Sequence, residues 1–159
     1  MNILVIIFVL IVIWRIYRGF KNGLAKEING LVSLLLALIV LSVALLLIAS
    51  ILEKNTKTII ISAVLLVAVS FVYRLVNMLM KSLETIAKLP VIHLVNMLLG
   101  AAAGGLEALV IFWIMYVIVA NVPTGQFGEQ IMAWTGQSTI LINVFHKNYI
   151  ANWIAGLKL

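Results

Sequence analysis

Residues 94–120 read LVNMLLGAAAGGLEALVIFWIMYVIVA, an apolar run with a single acidic residue, Glu107. A helix needs about 20 mostly apolar residues to cross the hydrocarbon core of a bilayer. Three other apolar runs precede this one, and a membrane-crossing segment of this kind is helical because its backbone polar groups must be satisfied internally. The sequence therefore predicts an all-α, polytopic membrane protein with four transmembrane helices, at about residues 3–17, 28–52, 59–80 and 91–120.

The composition supports a membrane location. Hydrophobic residues make up 65% of the 159 residues and charged residues 10%, and there are no cysteines. A soluble domain of this size keeps much of its surface in water and could not hide so much apolar area. The formal net charge is +6. Because the basic residues lie mostly beside the apolar runs, we expect anionic lipid headgroups as their partners, and no nucleic acid.

Basic residues in the loops predict the orientation, because loops rich in Lys and Arg stay in the cytoplasm. The second loop has only Lys54 and Lys57. We therefore expect the first and third loops to be cytoplasmic and both termini to be extracytoplasmic. The basic residues of the first and third loops are Arg15, Arg18, Lys21, Lys26, Lys81 and Lys88.

The chain divides into a transmembrane domain, residues 1–122, and an amphipathic, extracytoplasmic helical tail, residues 123–159. Pro123 ends the fourth apolar run because proline does not fit a helix interior. Two arrangements of the tail are open: a helix that lies on the outer leaflet, or one that packs on the outer end of the bundle or between protomers. One face of this tail helix is predicted to contain Ile142, Phe145, Tyr149 and Trp153.

One face of the fourth span is small and polar. Asn96, Gly100, Gly104 and Glu107 share this face, together with Ala103. Small residues at GxxxG spacing let two helices approach closely, so we assign Asn96, Gly100 and Gly104 to helix packing. Glu107 has two interpretations: a proton or cation site, or an interhelical hydrogen bond that fixes packing, which we favour.

The third span has a second polar stripe, which includes Arg74 and Asn77. We predict that Arg74 extends its guanidinium toward the cytoplasmic face. By residue count, Glu107 is expected nearer the outer face, which argues against an ion pair between Arg74 and Glu107. Together these three are the intramembrane polar residues of the prediction.

Sequence patterns of catalysis are missing. The sequence has no HExxH segment, no phosphate-binding Gly-Lys-Ser/Thr loop and no nucleophile elbow. His93 and His146 are expected on opposite sides of the membrane, where they could not share a metal. We therefore predict a protein without enzymatic activity, catalytic residues, metal or cofactor.

Two segments resemble a known family. The first is the RGFxxGxxxE pattern of residues 18–27, and the second is NMLLG at residues 96–100, followed by Gly104. With four spans in 159 residues, these segments resemble the CvpA (colicin V production protein) family of small bacterial inner-membrane proteins. The family motif corresponds to Arg18, Gly19, Phe20, Gly23 and Glu27.

The second segment departs from the family pattern. Asn96-Met97 stands where the family often has Asp-Arg, and Glu107 and Ala108 stand in place of a basic residue and a glycine. The close-packing glycines are retained.

The first motif also has a physical interpretation. Gly19 and Gly23 permit a tight turn between antiparallel helices. Arg18 can reach lipid headgroups or Glu27, whose carboxylate is favourably placed at the start of the second span.

Two functions follow. The resemblance implies a bacterial cytoplasmic (inner) membrane protein linked to colicin V production or export, and hence to toxin biosynthesis. We accordingly expect a non-enzymatic accessory in colicin V-type production or export, or in envelope homeostasis. Its expected partners are the lipid bilayer, other copies of itself and other envelope proteins. The alternative is a channel or transporter subunit with a polar site at Asn96 and Glu107.

Overall fold

A computed structural model describes residues 2–86 and 93–157, which form seven α-helices. The first four are long and apolar enough to cross a membrane, so the all-α, four-span prediction is confirmed. The predicted start of the fourth span, at residue 91, and Lys88 lie outside the described residues, as does the side chain of Lys81. The helices are α1 (Ile3–Asn22), α2 (Leu24–Leu52), α3 (Thr56–Ile86), α4 (His93–Asn121), α5 (Gly125–Gly136), α6 (Thr139–His146) and α7 (Tyr149–Ala155).

Helix α1 is longer than the predicted first span of residues 3–17. Asn2 caps its start by accepting hydrogen bonds from the backbone N–H groups of Leu4 and Val5, at 3.1 and 3.3 Å. The helix continues to Asn22 and ends at Gly23, whose φ of +78° is a conformation that suits glycine. Helix α2 begins at the next residue, so a single glycine separates the two spans.

Helix α4 occupies the centre of the fold. It packs along both α1 and α2. In its most apolar 18-residue stretch, 44% is buried inside the protein, compared with 6% of the corresponding stretch of α3. Helix α3 packs mainly against α2. The four spans therefore form an arrangement in the order α1, α4, α2, α3, with α3 at the edge.

The apolar end of this arrangement is built around aromatic side chains. Phe8 of α1 meets Phe112 of α4 edge to face, with ring centroids 4.8 Å apart. Tyr116 and Leu141, both almost completely buried, belong to the same cluster and connect α4 to the tail. This cluster holds the far ends of α1 and α4 together.

The tail packs on the bundle, which is the second of the two arrangements left open. The Trp113 indole N–H donates to the Val144 carbonyl at 2.8 Å, and the hydroxyl groups of Tyr116 and Thr135 are 3.0 Å apart. Ile154 of α7 is buried against α2.

The predicted single face of the tail was wrong. The helix breaks at Asn148, whose side chain donates to the Trp113 carbonyl at 3.3 Å and accepts from the Ala151 N–H at 3.2 Å. Because of this break, Tyr149 and Trp153 are exposed, and Leu141, Val144 and Ile154 are buried instead.

Candidate functional site

A buried cluster of charged side chains lies where α1, α2 and α4 meet, next to the α1–α2 turn. Two carboxyl groups form its centre, and the side chains of Glu27 and Glu107 are 1% and 0% exposed. Carboxylates are rarely buried this completely unless they are paired. The groups around them are Arg15, Arg18 and Asn22 of α1 and Gly30 of α2.

Arg15 forms an ion pair with Glu107. Its Nη1 donates to Oε2 of Glu107, and the Arg15 side chain is itself mostly buried. A charged side chain at the centre of a bilayer costs about 2.5–3.5 kcal/mol on insertion scales, so an unpaired charge here would oppose folding. In this pair a positive charge of α1 and a negative charge of α4 neutralise each other inside the protein, away from lipid.

Arg18 and Asn22 hold Glu27. The Nε atom of Arg18 lies 3.4 Å from Oε1 of Glu27, and Nδ2 of Asn22 donates to the same oxygen at 2.6 Å. Glu27 is in the first turn of α2, where the positive end of the helix dipole favours a carboxylate. The Arg18 side chain is 43% exposed, so this end of the cluster faces outward.

One oxygen of each carboxyl group has no hydrogen-bond partner in the described part of the chain. Oε2 of Glu27 and Oε1 of Glu107 are buried and accept no bond from any N–H or O–H donor in the described residues. Because ionised carboxylates can only accept, a direct bond between them requires one proton. No such bond is present between them, so both oxygens remain without a donor among the residues that the structure describes.

Glycines provide the space for this cluster. A Cβ atom on Gly30 would lie less than 3.0 Å from Oε1 of Glu107. Cβ atoms on Gly19 and Gly100 would each collide with the other residue's backbone, and one on Gly104 with the Arg15 carbonyl. The small face of α4 is thus packed against α1 of the same chain.

The other predicted residues lie around this cluster. The Asn96 side chain contacts Gly23 at the turn, where a Cβ would have no room. Phe20 is partly exposed. Arg74 is exposed and Asn77 half-buried on α3. Neither is among the groups that interact with Glu107, which are Arg15, Arg18 and Glu27.

The predicted depth of Glu107 was wrong, and Arg15 was missed as its partner. Asn96 and Gly100 lie level with Gly23, at the α1–α2 turn. The first residues of α4 are therefore at the level of this turn, and only the residues after them run along α1. Glu107 consequently lies level with Arg15 and in contact with Gly30.

The sequence indicates close packing of α1 on α4 but not this register. Residues 19–23 and 100–104 are both GxxxG segments, a pattern that indicates close packing of two helices. Aligning the segments in antiparallel fashion would place Arg15 opposite Ala108, whereas in the structure Arg15 meets Gly104 and Gly19 meets Gly100, about one turn away.

Metal binding has no support from clustering. Among the side chains that the structure describes, no three His or Glu residues lie close enough together to hold a metal ion.

Comparison with known proteins identifies the family. No curated protein and no solved structure matches the chain. The family model described as colicin V production protein matches residues 4–148, which include all four membrane-spanning helices and the buried cluster. The resemblance seen in the sequence is confirmed, and the chain belongs to the colicin V production protein family.

Proposed function

We propose that this protein is a non-enzymatic accessory in colicin V-type production or export, or in envelope homeostasis, and that it acts as an oligomer in the bacterial cytoplasmic membrane. Both termini lie outside the cytoplasm in this proposal. Other envelope proteins and the lipid bilayer are its partners. Family membership supports the link to colicin V production.

One observation carries the proposal: the charged side chains buried among α1, α2 and α4 are bonded to one another within a single chain. Arg15 pairs with Glu107, and Arg18 with Glu27. A solute site would need charged or polar groups that face a water-filled space. Groups that are already paired hold the helices together instead, which leaves the exposed helix faces for contacts with partners.

A second candidate is a channel or transporter subunit with its polar site at Asn96 and Glu107. Two buried carboxyl oxygens without a hydrogen-bond partner in the described residues, Oε2 of Glu27 and Oε1 of Glu107, favour it, because intramembrane carboxyl groups of this kind are found in proton pathways. The partly exposed Arg18 gives this site an outward-facing end.

Glu107→Gln separates the two candidates, since glutamine has the shape of a protonated glutamate but cannot release a proton. For an accessory, we expect cells that lack the protein to release less colicin V, and both wild type and Glu107→Gln to restore release to about the same level. Proton flux in liposomes should be the same for the two proteins. Colicin V is measured in the medium, with the membrane level of each variant as the control.

A contrary result is equally clear. If Glu107→Gln accumulates normally in the membrane but fails to restore colicin V release and also changes proton flux, the accessory role is wrong and the second candidate holds. If cells lacking the protein release as much colicin V as before and exclude impermeant dyes normally, the accessory proposal is refuted.

The proposed oligomer uses the free face of α3. This face has apolar side chains at heptad-like spacing, a pattern that packs helices together. Val67 is 73% exposed at its centre. Since the chain has no cysteines, Val67→Cys should give disulfide-linked dimers in native membranes several-fold more efficiently than Leu10→Cys on α1, which is 61% exposed. Equal yields would show random collision and exclude this interface. The exposed residues of the face are Ile60, Val64, Val67 and Phe71.

A further inference from the structure

A groove between α2 and α3 opens toward the membrane. Its volume is about 550 Å³, within the range of small-molecule sites. The antiparallel helices place Ser33 and Arg74 together at one end and Val40 and Val69 toward the other. The groove is therefore polar at the end nearer the α1–α2 turn and apolar along the rest, as an amphiphile requires.

Arg74 is the unusual residue of this groove. It is exposed, and among the described residues it has no hydrogen-bond or ion-pair partner, unlike Arg15 and Arg18. It lies seven residues before Lys81, the first charged residue after the third apolar run, which corresponds to about 10 Å along a helix. A guanidinium this close to the end of a span lies within reach of the headgroup phosphates.

Two hydroxyl groups beside Arg74 are also free to bond. Ser33 and Tyr73 line the same end of the groove, and within the described part of the chain their side chains make no hydrogen bonds. A guanidinium together with neighbouring O–H donors is a typical set of ligands for a phosphate group.

Among the side chains that the structure describes, a second copy of the chain has no suitable partner for Arg74. Of the acidic side chains in the described residues, Glu27 and Glu107 are buried. Glu53, just beyond α2, and Glu129, in α5, lie toward the opposite end of the spans. The described side chains therefore leave the lipid headgroups as the complementary negative charge at this depth.

We propose that the α2–α3 groove binds an anionic phospholipid, with the phosphate on Arg74 and one acyl chain along the apolar part of the groove. The site is independent of the Glu27–Glu107 cluster and does not rest on the proposed function. It would tie α3, the least buried span, to α2 and to one leaflet.

The test is native mass spectrometry of the intact protein in detergent, titrated with phosphatidylglycerol or phosphatidylcholine. We expect preferential retention of phosphatidylglycerol, and about a tenfold loss of that affinity in Arg74→Gln. Ala37→Trp, which fills the groove but keeps Arg74, should weaken binding to a similar extent. Lys26→Gln, at an exposed basic residue outside the groove, should change it by no more than about twofold.

Three outcomes would overturn the proposal. Equal binding of the two lipids would remove the role of charge, and unchanged binding in Arg74→Gln would remove the phosphate site. Loss of binding in Arg74→Gln but not in Ala37→Trp would place the headgroup outside the groove. Melting temperatures of all variants, measured in the same detergent, verify that each has folded.

Discussion

Replacing Gly104 with alanine will separate α1 from α4 and strongly destabilise the protein. The added Cβ would lie less than 3.0 Å from the carbonyl oxygen of Arg15, a backbone atom that cannot move without displacing the whole of α1. Overpacking typically costs about 1–3 kcal/mol, and we expect the upper end of this range because backbone atoms are involved. The melting temperature in detergent measures the effect.

Gly105 provides a matched control for this substitution. A Cβ at Gly105 would meet only the Ile16 side chain, at 3.5 Å, which is ordinary contact. Gly105→Ala should therefore be neutral, or stabilising by up to about 1 kcal/mol, because alanine favours a helix. Equal melting temperatures for the two alanine variants would disprove the close packing of α1 on α4. If Gly104→Ala instead dissociated an oligomer whose protomers stayed folded, this face would lie between chains.

Replacing Glu107 with leucine will destabilise the protein by about 3–5 kcal/mol, because it leaves the Arg15 guanidinium buried without a partner. The double variant Arg15→Met, Glu107→Leu should recover most of this loss. Nε of Arg15 is buried without a hydrogen bond, so the native pair is incompletely satisfied and an apolar replacement loses little. Unfolding of the wild type, the two single variants and the double variant gives the coupling energy.

Glu107→Gln is the internal control for this cycle. Glutamine keeps an oxygen that can accept from Arg15, so the loss should be well below that of Glu107→Leu. Additive effects of the two single substitutions would show that Arg15 and Glu107 do not interact in the membrane.

The spans could be predicted from the sequence because hydropathy is a property of each segment alone. The turn at Gly23 could also be predicted, because a glycine between two apolar runs indicates a tight connection. The pairing of Arg15 with Glu107 was not, because it depends on how far α1 is shifted along α4. That shift is set by Gly19 and Gly100, whose contact is visible only once both helices are placed.

The tail shows a second reason why a prediction from the sequence failed. Periodicity predicted one face through Tyr149 and Trp153, but a hydrogen bond from Asn148 to α4 breaks the helix. Asn148 also caps the start of α7 by accepting from the Ala151 N–H, which is a local signal, but its bond to α4 is not contained in any local pattern.

The ion pair of Arg15 also bears on how the protein is made. Glu107 follows Arg15 by 92 residues, which takes a ribosome about 5–20 s to synthesise. During this interval the hairpin of α1 and α2 has two guanidinium groups but only Glu27 as an inserted counter-charge. The nascent hairpin is therefore electrostatically incomplete, and its assembly ends only when α4 leaves the insertion machinery and delivers the second carboxylate.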